Sequence, residues 1–173
     1  MRRAGSAARF AFQGISGSRP CVLFSGSPIV AGMIARISRI FRSLFSLPAW
    51  VIVWMLVFLI PANLAGLFML DTESGRWIAL LGAGGLLVNL VPLLVNGGFS
   101  RVLAFAHLLF WLPLEFVLLA RLLTADMGSA ELRLTLVVLV INGISLCFDV
   151  IDARRWLRGE RAVFGFEEET ARL

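Results

Sequence analysis

The sequence predicts an all-α fold, a membrane four-helix bundle preceded by an interfacial amphipathic helix. Of its 173 residues, 59% are hydrophobic and 16% are charged, whereas soluble domains are about half apolar and a quarter charged. The excess lies in four apolar blocks of about 20 residues, the length that a transmembrane helix needs. No polar stretch is long enough to bury a core of its own, so we expect one membrane domain.

Residues 1–32 are rich in Gly, Ser, Arg and Ala and show no periodicity, which predicts a disordered tail. Their short, interrupted apolar runs are not typical of a signal peptide. Well-patterned sequence begins at Met33, so our hypothesis is that Met33 is the natural start and that 1–32 is a gene-model extension. The intact mass of the natively expressed protein tests this hypothesis, because a mass that includes Met1 would reject it.

Residues 33–47 predict an amphipathic interfacial helix with apolar side chains on one face and polar side chains on the other. A docking surface for a partner helix is the alternative. The predicted apolar face consists of Ile34, Ile37, Ile40, Phe41, Leu44 and Phe45. The predicted polar face consists of Arg36, Arg39, Arg42, Ser38, Ser43 and Ser46.

Residues 48–161 predict the transmembrane bundle, with a cytoplasmic extension of its last helix. Small residues in the first two spans favour close helix packing, within or between chains, and the main pairs are Ala62/Gly66 and Ala79/Ala83. Gly159 is a plausible end for the extension, and residues 162–173 form a short acidic tail. The four predicted spans are 48–70, 77–95, 102–123 and 132–151.

The arginines predict the orientation of the bundle. Segments placed inside hold 13 of the 16 basic residues, all of them arginine. Because cytoplasmic loops carry the excess of basic residues, both termini are expected in the cytoplasm. The location is then the inner (cytoplasmic) membrane of a bacterial cell.

Each predicted span carries a polar side chain that must find a partner away from water. At about 1.5 Å of rise per residue, Asn63 and Glu115 fall at one level and Asn89 and His107 at another. Trp111 lies one turn from both His107 and Glu115 and is expected on the same face as both, and Arg121 is expected to extend outward from the bundle. The predicted polar intramembrane cluster is Asn63, Asn89, His107, Glu115 and Asn142, with Asn142 between the two layers.

Two interpretations of this cluster stay open. The first is structural: the groups hydrogen-bond one another across helices, and a protonated Glu115 donates a hydrogen bond. The second is a proton or ion relay, because ionisable groups inside a membrane often mark a transport path. The first interpretation favours an accessory protein, and the second favours a small transporter or proton-coupled protein using Glu115 and His107.

Arginines after the last span predict contacts with anionic lipid head groups; these are Arg154, Arg155 and Arg158. A plain stop signal at the cytoplasmic surface is the alternative interpretation of this set. Asp152 and Arg155 can pair at a spacing of three residues. A lipid-processing enzyme that acts at this end of the chain is a weaker third possibility.

The sequence contains no nucleophile triad, nucleotide loop, haem motif or zinc spacing, so we predict no catalytic residues, no cofactor and no metal. Cys21 and Cys147 are far apart and predict no disulfide framework. Because the arginines flank apolar spans, nucleic acid is not expected as a partner. The expected partners are the lipid bilayer and a membrane protein, which can be a second copy.

Residues 47–165 resemble a group of small, uncharacterised four-span inner-membrane proteins of bacteria. The resemblance implies a location and an architecture but no activity. We therefore expect an integral inner-membrane protein that is not an enzyme and that has a structural or accessory role, binding lipid or a membrane partner. The segments that carry the resemblance are LPAW (47–50), IPANLAGLFML (60–70), GFSRVLAFAHLLFWLPL (98–114) and NGISLCFDVIDARRWLRGER (142–161).

Overall fold

A computed structural model describes residues 28–166, which form five helices and no β-strand. The last four helices are long and apolar enough to cross a membrane. The chain is therefore a multi-pass membrane protein, and the predicted all-α four-helix bundle is confirmed. The helices are α1 Pro28–Ser46, α2 Ala49–Phe68, α3 Glu73–Asn96, α4 Leu103–Thr124 and α5 Ser129–Leu157.

Short connections make α2 to α5 run alternately up and down. α1, residues 97–102 and residues 158–166 lie together at one end of the bundle, which we call the terminal end. Residues 69–72 and 125–128 lie at the opposite end. Both ends of each of these four helices lie within four residues of the predicted span boundaries, with one exception. α5 continues to Leu157, in agreement with the predicted extension of the last helix.

Small residues let the backbones of α2 and α3 touch. A Cβ added to Gly66 would lie 2.6 Å from the backbone nitrogen of Ala79 and 2.7 Å from the carbonyl oxygen of Gly75. A Cβ on Gly82 would lie 2.7 Å from Oδ1 of Asn63. The small residues of these two spans therefore pack within one chain, the first of the two arrangements that the sequence left open.

α1 begins at Pro28, five residues before the predicted start at 33. Residues 28–32 of the predicted tail are thus helical, whereas residues 1–27 lie outside the described residues and the start at Met33 stays a prediction. Ser43, on the predicted polar face, is fully buried and accepts a hydrogen bond from the backbone N–H of Phe99 at 2.9 Å. The apolar side chains of Ile34, Ile37, Phe41 and Phe45 are exposed.

The segment after α5 folds back over the terminal end. Gly159 has φ of +100° and ends the helix, as predicted. Its N–H donates to the backbone carbonyl of Trp156, and the N–H of Glu160 donates to the backbone carbonyl of Arg155. These two hydrogen bonds are those of a Schellman motif. Beyond this motif, the N–H of Phe164 donates to the backbone carbonyl of Phe99 at 2.9 Å. Residues 162–166 are therefore attached to the bundle, and residues 167–173 of the predicted acidic tail lie outside the described residues.

Candidate polar seam along the last helix

One face of α5 carries a polar side chain at almost every turn. Residues spaced alternately by four and three positions lie on one side of a helix. Seven residues of α5 have this spacing, and they lie on the side that faces the other helices. Val138 is the apolar member of the series. We call the six polar members the α5 seam: Glu131, Thr135, Asn142, Ser145, Asp149 and Asp152.

Asn142 in the middle of the seam pairs with Asn63 of α2. Nδ2 of Asn63 donates to Oδ1 of Asn142 at 2.7 Å, and Nδ2 of Asn142 donates back to Oδ1 of Asn63 at 3.0 Å. Both side chains are fully buried. This corrects the predicted Asn63–Glu115 layer: rise along a helix fixes the level of a residue, but not the direction in which its side chain points.

His107 connects α3, α4 and α5 nearer the terminal end. Its Nε2 faces Nδ2 of Asn89, as predicted, and its Nδ1 lies 3.1 Å and 3.2 Å from the two carboxylate oxygens of Asp149. The sequence analysis missed Asp149 as a partner. The signal was present, because Asp149 lies seven residues after Asn142 and therefore on the same face of α5.

Trp111 covers the imidazole on the side away from the terminal end. The two rings are stacked, with centroids 3.9 Å apart and planes tilted by 7°. Trp111 is fully buried, and its Nε1 donates to the carbonyl of Gly82 at 3.2 Å. Trp111 therefore shares the face of His107, as predicted, whereas Glu115, which was predicted on the same face, does not join this contact.

Glu115 does not join the other members of the predicted cluster. It lies at the boundary between α4 and α5, where a Cβ added to Gly143 would be 3.7 Å from its Oε2. Its Oε1 is buried and has no hydrogen-bond partner within the described residues. The predicted five-residue cluster is therefore two separate contacts and one carboxyl group that stands alone.

Arg121 lies inside an ion cluster at the opposite end, which corrects its predicted outward direction. It donates to Ser74 at 3.0 Å and to Oε1 of Glu131 at 3.1 Å, and it also pairs with Glu73. Glu131 accepts a second hydrogen bond, from the N–H of Ser74 at 3.0 Å. Arg121 follows His107 by 14 residues, two heptads along the same face of α4, so periodicity could have indicated its inward position.

The terminal end of the seam contains a second set of ion pairs. Arg101 contacts Asp152 at 3.3 Å and Glu160 at 3.5 Å, while Arg155 donates to Glu160 at 2.8 Å. This corrects the predicted Asp152–Arg155 pair. The hydrogen bond from Arg155 lowers the pKa of Glu160 below its usual range. All three predicted head-group arginines are exposed, and Arg155 also contacts this carboxylate.

The seam is interrupted between its two halves. Val138, Leu114 and Leu118 are fully buried and pack together with Ala62 and Ile78. These apolar side chains lie between the Arg121–Glu131 cluster and the Asn63–Asn142 pair. Within the described residues the polar groups therefore connect neighbouring helices turn by turn, and they do not form a continuous polar path from one end to the other.

Compared with known protein families, curated proteins and solved structures, the chain shows no match. The resemblance to small four-span bacterial inner-membrane proteins therefore stays a prediction.

Proposed function

We propose that the protein is a structural or accessory component of the membrane, not an enzyme, and that its terminal end binds anionic lipid head groups. The observation that carries this proposal is the unequal charge of the two ends. The described residues at the opposite end include Arg76, Arg121 and Arg133 beside Asp71, Glu73, Asp126 and Glu131. Those at the terminal end include Arg36, Arg39, Arg42, Arg101, Arg154, Arg155, Arg158 and Arg161 beside Asp149, Asp152 and Glu160.

Two of these arginines are the main candidates for lipid contact. Arg154 lies in the last turn of α5 and Arg158 directly follows its last residue, and both are exposed. Arg155 is occupied by Glu160, so its role in the proposal is to hold the end of α5. Exposed apolar side chains of α1, among them Ile34 and Phe45, are suited to the acyl region beside the same head groups.

The unequal charge also supports the proposed orientation. A basic end belongs in the cytoplasm, where the leaflet is rich in anionic lipid. Both termini are therefore proposed to be cytoplasmic, in the inner membrane of a bacterium, with a second copy or another membrane protein as a further partner. Reporter domains fused to the two ends and found on opposite sides of the membrane would contradict this topology.

Lipid retention tests the proposal. Each basic residue near an anionic surface contributes about 1 kcal/mol, so the double variant Arg154→Gln/Arg158→Gln is expected to bind anionic lipid roughly 30-fold more weakly. Mass spectrometry of the protein released from nanodiscs of mixed lipid measures the retained lipid. The matched control is Arg76→Gln/Arg133→Gln, two exposed arginines at the opposite end. Equal retention by both double variants would contradict the proposal.

A second candidate function is a small transporter or proton-coupled protein that uses Glu115 and His107. The observation that favours it is the buried Oε1 of Glu115, which has no partner within the described residues. Ionisable groups at membrane depth are costly and often functional. The interruption of the seam at Val138 argues against a continuous path, and a flux measurement on a Glu115 variant separates the two candidates.

A further inference from the structure

We propose that Asn89, His107 and Asp149 form a proton-binding site that opens toward the terminal end, independent of Glu115 and of lipid binding. The ligand is a single proton, which would convert the neutral imidazole of His107 into an imidazolium paired with Asp149. The proposal goes beyond the lipid-binding function and rests on the pairing of three side chains from three different helices.

The hydrogen-bond directions define which ring nitrogen of His107 carries the proton before the site binds a second one. Nδ2 of Asn89 can only donate, and it faces Nε2 of His107, so a neutral ring must accept there. The ring proton then lies on Nδ1, where it is donated to the carboxylate of Asp149 at 3.1 Å. Both partners together therefore select the Nδ1–H tautomer of a neutral imidazole.

An acceptor without a partner, Oδ1 of Asn89, indicates how the site would hold the imidazolium form of His107. Oδ1 of Asn89 is buried and has no hydrogen-bond partner within the described residues. A proton added to Nε2 of His107 would oppose the Nδ2 donor, but reversal of the Asn89 amide presents Oδ1 to the new N–H. The loaded site would then contain an imidazolium that donates to Asn89 on one side and to the Asp149 carboxylate on the other.

Access and electrostatics favour the terminal end. His107 is the fifth residue of α4, about 6 Å along the helix from its first residue. The side chains of His107 and Asp149 are 16% and 14% exposed, and that of Asp152 is 39% exposed. Asp149 is the charged group in contact with the ring. Asp152 follows one turn later and pairs with Arg101.

Within residues 28–166, the other elements packed around the ring contribute no charge. α3 presents the amide of Asn89, and Trp111 of α4 covers the opposite face of the ring. Glu115 lies two turns further along α4, beyond Trp111. A proton that enters from the terminal end therefore stops at His107, and the site is predicted to bind protons without conducting them.

Nitrogen NMR of the full-length protein in lipid nanodiscs tests this site directly, because the chain has one histidine. With labelled histidine, the neutral ring is expected to carry its proton on Nδ1 at alkaline pH and to become an imidazolium on acidification, while the protein stays folded. A neutral ring protonated on Nε2 would overturn the proposal. So would a ring that stays neutral throughout the pH range in which the protein is folded.

Two variants test the assigned partners. Asp149→Asn removes the carboxylate that accepts from Nδ1, so the neutral ring is expected to lose its preference for the Nδ1–H tautomer. Glu115→Gln is the matched control in the same bundle and should leave the tautomer of His107 unchanged. If Asp149→Asn has no effect, or if Glu115→Gln has an equal one, the site is not the one proposed. Retention of anionic lipid is expected to be unaffected by either variant, so the two proposals fail independently.

Discussion

Two asparagine contacts between helices of the bundle differ in how completely they are paired. Asn63 and Asn142 donate to and accept from each other and are fully buried, and neither side chain titrates. Asn89 contacts a histidine that also contacts a carboxylate, and its Oδ1 has no partner within the described residues. A fully paired contact holds helices together at any pH, whereas a partly paired one retains an acceptor for one more proton.

This contrast orders the expected effects of substitution. Removing one member of a fully paired contact leaves its partner buried and unsatisfied, which is costly. Removing a group that already lacks a partner costs little. The following predictions run from the largest expected loss of stability to the smallest.

The largest effect is expected for the charged contact at the opposite end. Arg121→Met removes the cation beside the buried carboxylate of Glu131, which keeps its hydrogen bond from the N–H of Ser74, and breaking a buried ion pair on one side costs about 3–5 kcal/mol. Denaturant unfolding in detergent micelles measures this loss. Arg133→Met, an exposed position near the start of α5, is the matched control and should change stability by less than about 0.5 kcal/mol. Similar small losses for both variants would show that the cluster is not a stabilising contact.

An intermediate effect is expected for the fully paired asparagines. Asn63→Leu leaves the amide of Asn142 without its partner and should cost about 1–2 kcal/mol, the range of interhelical hydrogen bonds in membranes. The double variant Asn63→Leu/Asn142→Leu removes both polar groups and should be more stable than the sum of the two single losses predicts. Additive losses in this double-mutant cycle would mean that the two amides do not interact.

Sequence periodicity predicted the fold because span length and apolar composition are local properties. The four spans, the small-residue packing of Gly66 and the helix end at Gly159 all follow from residues close together in the chain. The start of α1 at Pro28 was missed because residues 28–32 carry few of the charged or bulky side chains from which an amphipathic pattern is recognised.

The partners of the polar residues were harder to predict. Asn63 and Asn142 are separated by 79 positions in the chain, and their contact depends on how α2 and α5 are rotated about their own axes. The rise along each helix places Asn63 level with Glu115 but says nothing about how the helices are rotated. The heptad series of α5 and α4 does contain this information, and it would have pointed Asp149 and Arg121 into the bundle.

The smallest effect is expected for the carboxyl group that has no partner for its Oε1. Glu115→Gln keeps the shape of the side chain, and Oε1 makes no hydrogen bond within the described residues that the substitution could remove. The free energy of unfolding should therefore change by less than about 0.5 kcal/mol. If the protein is an accessory component, proteoliposomes of the parent protein and of Glu115→Gln should both be no more permeable to protons than empty vesicles.

The flux result decides the role of Glu115 where stability cannot. Proton flux in the parent protein that disappears in Glu115→Gln, with unfolding unchanged, would favour the proton-coupled candidate. It would also require a path past Val138 and Leu118, which are fully buried between apolar neighbours. Since such a path needs helices to separate at that level, substituting Val138 by a bulkier leucine should then reduce the flux, whereas it should alter only packing in an accessory protein.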